Sequence, residues 1–391
     1  MKYNFDEIIE RKNTDCLKFD NVKEMFGTED VLAMWIADMD FRTPPFVIEA
    51  LRKRLEHEVL GYTFCSPKWK PAIQGWVSRR YGWDVKEEEI GFVGGIVPAI
   101  SFAVQCFTAE NEKILIQPPV YHPYHHVVRD LGRTLVYNPL RLVNGQYEID
   151  FEDFERKIVG CKLFLLCNPH NPGGRVWSPA ELERLADICA KNGVVVISDE
   201  IHCDMALTGY KHTVFATVSE AAAQNTITLM AASKTFNIAG LKSSYHIIQN
   251  EELCKKYNDF LTRSELNTAH LFATTAVAVA YTEGEEWLEQ MLAYVEENIA
   301  FLDKYLQENM PKISFIRPQA SYLVFLDARE LGMEQSRLVD FFVKEAKVAM
   351  NDGTMFGVEG AGFMRMNLGC PRATLELALT KIKAAYDKLV F

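Results

Sequence analysis

The chain has 391 residues, 48% of them hydrophobic and 24% charged, so it can bury a large core and exceeds the size at which single cores tend to split. Forty-two basic against fifty-three acidic residues leave a formal net charge of -11, which argues against nucleic acid as the main partner but leaves room for an anion held by backbone amides and a few placed cations. No apolar signal core opens the chain and no apolar run is long enough to span a bilayer. Nine scattered cysteines without a C-x-x-C pair suit a reducing compartment, so a cytoplasmic location without membrane anchoring is expected.

After an N-terminal segment to about residue 47, short β-rich runs alternate with helical stretches. The pattern predicts strands at 90–93, 113–117, 134–137, 163–167, 194–198, 226–230 and 243–248. Several are apolar without alternation, as strands covered on both faces should be, so stacked β-α units around a mainly parallel sheet are expected. Gly94 and Gly95 follow the first strand and Pro98 opens the next helix, so the amides of Gly95, Ile96 and Val97 should point at an anion, most naturally a phosphate; alone, such a turn is more often a plain connector. His122, His125 and His126 lack a cysteine or carboxylate at familiar metal spacing, so no metal is expected there. Ser178, Pro179 and Glu181 mark a capped helix start, with Lys191 in its last turn and Gly193 as its stop.

Asp199 directly follows the apolar run 194–198. A carboxylate there is costly unless it meets a cation or a protonated nitrogen, although a helix cap or core salt bridge reads equally well. Lys234 follows the apolar run 226–232 in a small-residue loop, where partial desolvation makes an amine nucleophilic toward an aldehyde. From residue 285 a long amphipathic helix runs to about 309, with Leu288, Leu292, Val295, Ile299 and Leu302 as its core stripe. Strand, helix, strand and a closing helix from Thr374 then suggest a smaller α+β domain. The expected division is 1–47 as an N-terminal part of the small domain, 48–283 as the large domain and 284–391 as the C-terminal small domain. Gly357, Gly360 and Gly362 lack the context of a dinucleotide site and read as a mobile loop before the strand carrying Arg365. Asp38 and Asp40, two apart, share one side of an extended segment.

Six motifs in order carry a resemblance: WIADMDF (35–41), PPVYHPY (118–124), NPHNPGGRVW (168–177), SDEIHCDM (198–205), SKTFNIAG (233–240) and GFMRMNLGCPR (362–372). Together they resemble the fold-type I pyridoxal-phosphate enzymes of the aminotransferase superfamily. Their wording is similar to that of the cystathionine β-lyase-like carbon-sulfur lyases, from about residue 30 to the C-terminus. The resemblance implies an α/β fold, with a mainly parallel seven-stranded sheet in a large domain plus a smaller α+β domain, and pyridoxal 5'-phosphate as cofactor. It implies that Lys234 carries the cofactor and acts as general base, that Asp199 keeps the ring nitrogen protonated, and that Tyr121 stacks on the ring. Asn171 would donate to the phenolic oxygen, with His202 tuning it or packing beside it. Ser233 and Lys242 would join the Gly95, Ile96 and Val97 amides around the phosphate. Tyr62 would reach the phosphate of a neighbouring subunit, making a homodimer with shared active sites. Arg365 would clamp the substrate α-carboxylate, near Ala37, Asp38 and Asn171.

Many aminotransferases of this fold place an arginine eight residues beyond the cofactor lysine and a serine three before it, whereas here Lys242 and Ala231 stand there. With His202 at a position where many carry tyrosine, these departures favour the lyase branch. The implied reaction is α,β-elimination of L-cystathionine or a related cysteine S-conjugate to thiol, pyruvate and ammonia, with Lys234 or Tyr121 protonating the leaving thiolate. The alternative is transamination between an L-amino acid and a 2-oxo acid. A cofactor-loaded binding partner is the third class; a pure binder would need neither a proton acceptor nor an electron sink.

Overall fold

The apolar runs pair into one seven-stranded sheet in a computed structural model that describes residues 2–389. Residues 1, 390 and 391, the outer ends of the two terminal segments, lie outside the described residues. The strands are β1 (Ile90–Val93), β2 (Lys113–Ile116), β3 (Thr134–Tyr137), β4 (Cys161–Cys167), β5 (Val195–Asp199), β6 (Thr226–Met230) and β7 (Ser244–Ile247). Their order is β1-β7-β6-β5-β4-β2-β3; the pairs among β2 to β6 are parallel, and β7 is antiparallel to both its neighbours. Asp199 is the last residue of β5 and does not follow it, because Cys167 of β4 and Leu229 of β6 flank it on both sides. An apolar run ends where the side chain turns polar, whereas a ladder ends where backbone partners run out.

The helices include α1 (Pro45–Leu55), α2 (Trp69–Tyr81), α3 (Ile96–Phe107), α4 (Pro123–Asp130), α5 (Pro179–Lys191), α6 (Ala232–Thr235) and α7 (Leu271–Glu283), with α8 (Glu285–Asn309) and α9 (Arg372–Tyr386) packed on one another in the C-terminal part. The start of α5 is the predicted capping box: Ser178 Oγ accepts from the Glu181 N–H at 3.3 Å, and Glu181 Oε2 accepts from the Ser178 N–H at 2.7 Å. Helix α7 packs against α1 and α2, and the predicted stripe of α8 is buried in the largest core cluster. Helix α9 starts at Arg372, two residues before the predicted position. There the backbone N–H of Arg372 donates to Tyr294 Oη at 2.7 Å and its Nε donates to Asn298 Oδ1 at 2.8 Å, so α8 supplies partners that local sequence does not show. Among the described residues no helix is long and apolar enough to cross a membrane.

A second, four-stranded antiparallel sheet has the order β8-β9-β11-β10, from β8 (Ser314–Ile316), β9 (Leu323–Asp327), β10 (Asn351–Asp352) and β11 (Phe363–Asn367). It holds two more strands than the predicted strand-helix-strand pattern, since β8 and β10 are only three and two residues long. Residues 32–33 pair in parallel with 348–349, which brings the N-terminal segment to the entry of this sheet. The glycine-rich stretch before β11 is a close-packed turn, unlike the mobile loop expected. A Cβ built on Gly360 would lie 1.9 Å from the Gly353 carbonyl oxygen, so two backbones touch where only glycine fits. Gly360→Ala should therefore lower the stability to urea by about 1–3 kcal/mol, the range for overpacking. An unchanged urea midpoint would contradict this packing.

Candidate active site

A cavity of about 400 Å³ opens beyond the carboxyl ends of the parallel strands, where open α/β sheets bind their ligands. Its wall includes Gly94 to Pro98 after β1, Cys167 at the end of β4, Asn171 just beyond it, Asp199 at the end of β5, His202 beyond that, and Ser233 and Lys234 on α6. Tyr121, Ala37, Lys242 and Ser243 complete it. Topology thus joins residues scattered over two hundred positions of sequence.

One end of the cavity is built for an anion. Gly95 has φ 139°, a conformation that L side chains rarely adopt, and no side chain caps the helix α3 that begins after it. The first-turn amides of that helix have no intrahelical acceptor and sit at the positive end of its dipole. Ser243 Oγ, on the same wall, is buried and has no hydrogen-bond partner among the described residues. Lys242 makes no ion pair among the described residues and lines this cavity as well.

Next to this lies a carboxylate that makes no ion pair among the described residues. Asp199 is buried and accepts from Tyr124 Oη at 2.9 Å and from the Ile201 N–H at 3.1 Å. Burial pushes its carboxyl up to about 6, against the pull of those two donors. His202 is buried too, and burial pushes its imidazole down to about 3, so it is neutral; its Nδ1 has no partner among the described residues. Burial likewise raises the Tyr121 phenol above its ordinary value, and the ring meets that of His122 at 5.2 Å.

Lys234 lies in the one-turn helix α6, not in the loop expected, because no glycine or proline interrupts the chain between β6 and Asn237. Its Nζ donates to the Ala37 carbonyl at 2.6 Å, and Tyr322 Oη donates to the same oxygen at 3.0 Å. Burial brings the amine down to about 8, opposed by the nearby charges of Asp38 and Asp199.

Arg365 stands on β11, behind the cavity wall. It is buried, and donates to Asn171 Oδ1 at 3.1 Å, Asn351 Oδ1 at 2.7 Å and the Trp35 carbonyl at 3.2 Å. Its Nε has no partner and it pairs with no carboxylate among the described residues. Burial lowers the guanidinium to about 10, so it stays charged at neutral pH, and a buried charge without a counter-ion is costly unless a ligand supplies one. With Asn171 Oδ1 occupied by Arg365, Asn171 Nδ2 is the group left to donate.

Asp38 and Asp40 do share one side of their segment, but they face cations from the N-terminal segment. Arg11 lies 2.6 Å from Asp38 and 2.7 Å from Asp40, and Lys18 lies 2.8 Å from Asp40. Asp38 lines an adjoining cavity of about 940 Å³ that shares Lys234 and Lys242 with the first, and it is not on the wall of the first. The segment is pinned by Asn237, whose Nδ2 donates to the Met39 and Phe41 carbonyls, and by Asn367, whose Nδ2 donates to the Ile36 and Asp38 carbonyls. Tyr62 is fully exposed and stands outside the chain's own cavity. His125 is bonded to the Phe356 carbonyl at 3.2 Å, away from the cavity wall. Sequence reasoning passed over Tyr124, Ser243, Tyr322 and Asn351. Tyr124 lies within PPVYHPY and had a local signal; the others are recognisable only by what they meet in space.

The model of the aminotransferase class I and II family matches residues 29–382. Cystathionine beta-lyase PatB of Bacillus subtilis (strain 168) is 45% identical over 384 residues, which cover 98% of this chain and 99% of that one. Among solved structures, cystalysin from Treponema denticola, which contains a pyridoxal 5'-phosphate cofactor, has a TM-score of 0.96 at 33% identity and covers 100% of both chains. The PLP-bound C-S lyase from Staphylococcus hominis has a TM-score of 0.92 at 37% identity, over 98% of each chain.

The Lys234 amine has a consequence for the cofactor-free chain. Its value in the folded state, about 8, lies below the ordinary 10.5, so the protonated amine opposes folding below pH 8 and this opposition fades as pH rises toward 10.5. Lys234→Met should therefore raise the melting temperature of cofactor-free protein at pH 7, with a smaller gain at pH 10. Equal gains at both pH values would contradict the shift.

Proposed function

The chain belongs to the aminotransferase class I and II family, and on that premise we propose that it is a pyridoxal-phosphate-dependent carbon-sulfur β-lyase that splits L-cystathionine or a related cysteine S-conjugate into thiol, pyruvate and ammonia. One observation carries the reading. A lysine amine and a buried carboxylate on one cavity wall, with a buried guanidinium behind it, each lack a counterpart that the cofactor and an amino-acid substrate would provide.

The residues fit the cofactor. The α3 amides, Ser243 and Lys242 would hold its phosphate, with Ser233 beside them; Asp199 would face its ring nitrogen, Tyr121 its ring, and Asn171 Nδ2 with His202 its phenolic oxygen. When bound, pyridoxal phosphate supplies an electron-withdrawing ring that makes loss of the substrate Cα proton accessible. Asp199, raised by burial and in no ion pair among the described residues, would be stabilised as a carboxylate by a protonated ring nitrogen and would in turn keep that proton in place. Lys234 Nζ, made easier to deprotonate by burial, would hold the cofactor aldehyde and would serve as the base that takes the substrate Cα proton. Arg365 clamps the α-carboxylate and so orients the Cα–H bond toward that base. As the Cβ–S bond breaks, the thiolate takes a proton from Lys234 Nζ or from Tyr121 Oη, whose raised value keeps it protonated at neutral pH. One water is consumed in giving pyruvate and ammonia.

We further propose a homodimer, a cytoplasmic location and a division into two domains. Val59, Leu60, Tyr62 and Phe64 are all exposed, an apolar stretch that supports a homodimer in which Tyr62 reaches the phosphate of the second copy's cofactor. Nine free cysteines support a reducing, cytoplasmic setting. The division at residues 47 and 283, with the seven-stranded sheet in the large domain and the four-stranded sheet in the small one, completes it.

Incubation of the holoenzyme with cystathionine alone should release pyruvate over many turnovers. Release only when a 2-oxo acid is added would mean a transaminase instead. Lys234→Ala should abolish the cofactor's covalent absorbance and lower kcat by roughly 10² to 10⁴-fold. Arg365→Ala should raise KM roughly 10- to 100-fold with cofactor content unchanged, and loss of cofactor would show that its role is misplaced. Light scattering should give twice the chain mass of 44.6 kDa.

A further inference from the structure

Helix α6 cannot hold itself in place. Its four residues are too few for a self-sustaining helix, and Ala231 offers no side-chain cap. The direction of Lys234 is therefore set by tertiary ties. The next residue, Thr235, is fully buried, and its Oγ1 donates to Asp204 Oδ2 at 2.7 Å. Asp204 is itself buried and pairs with no cation among the described residues. Its other oxygen, Oδ1, accepts from Trp76 Nε1 at 2.8 Å and from Tyr81 Oη, both on α2. Three donors on one buried carboxylate make charge-assisted bonds, stronger and more directional than neutral ones. The α2 side is anchored in turn, since Trp76 stacks on Tyr281 of α7 at 4.9 Å and Tyr281 shares a hydrogen bond with Tyr245 of β7 at 2.8 Å.

We infer that Asp204, through the Thr235 hydroxyl, is a positioning residue that locks α6 to α2 and so fixes the Lys234 amine in the cavity. This rests on the role proposed for Lys234 above. Neither side chain lines the cavity, so neither touches the reacting atoms. A carboxylate suits the task because it accepts from both helices at once without needing a donor of its own.

Thr235→Val keeps the shape and removes only the hydroxyl, Thr235→Ser restores it, and Ser178→Ala weakens the fold at the distant α5 cap as a control. Three readouts are needed: pyruvate release by the holoenzyme, its melting temperature, and the rate at which an amine-directed acylating reagent labels Lys234 in cofactor-free protein, followed by peptide mass spectrometry. Thr235→Val should lower kcat on the order of 10- to 100-fold with little change in KM, the cost of a misplaced base, and should speed Lys234 labelling several-fold. Thr235→Ser should recover both, while Ser178→Ala should lower the melting temperature and change neither. If Thr235→Val leaves the labelling rate at the wild-type value, or if Ser178→Ala reproduces its effects, the positioning role is overturned. Should Thr235→Val fail to fold, Thr235→Ala is judged by the same criteria. A wild type that makes no pyruvate from cystathionine would end the lyase reading, whereas the labelling rate would still decide the role of Asp204.

Discussion

Keeping an amine, a carboxylate and a guanidinium in or near one cavity without letting them neutralise one another is the constraint on which this structure turns. Left free, Lys234 and Asp199 would form an ion pair, and Arg365 would take the nearest carboxylate. Each is instead satisfied only in part, by neutral groups: Lys234 by the Ala37 carbonyl, Asp199 by Tyr124 and an amide, Arg365 by two asparagines and a carbonyl. Partial satisfaction lowers the cost of burial without discharging the groups, and their shifted titration is the sign of what remains.

The two sheets make that separation possible. Asp199 and Lys234 come from the carboxyl edge of the seven-stranded sheet, whereas Arg365 comes from the middle of β11 in the other sheet. Their approach is set by the seam between the sheets, where Asn171 meets Arg365. Strand alternation sorts neighbouring acids in the same way. Asp199 faces the cavity, while the adjacent Glu200 turns to the core and is closed by His212 Nε2 at 2.7 Å, Ser198 Oγ at 2.8 Å and the Phe215 N–H at 2.9 Å. The two carboxylates are consecutive in sequence, and their surroundings give one an open side and the other none.

The acidic pair at 38 and 40 shows how far a local pattern reaches. Spacing alone placed both on one side of an extended segment, and so they lie; yet their partners, Arg11 and Lys18, come from a stretch with no distinctive motif. The effect is mechanical as well as electrostatic, because the segment that carries Ala37 to Lys234 is clamped by these pairs and by Asn237 and Asn367.

Sequence alone determined the strand count of the large sheet, the capped start of α5, the buried stripe of α8 and the identity of Lys234, Asp199, Asn171 and Arg365 as candidates. Each depends on short-range periodicity, on capping chemistry or on motifs a few residues long. Only the tertiary structure decided that Asp199 ends its strand, that Lys234 rides on a single turn of helix, that the glycine turn before β11 is packed tight, and that Tyr124, Asn351 and Asp204 hold the charged residues or their supports in place. Those outcomes rest on partners dozens to hundreds of residues away, and a hydrogen bond between distant groups leaves no period or spacing in the chain to be read.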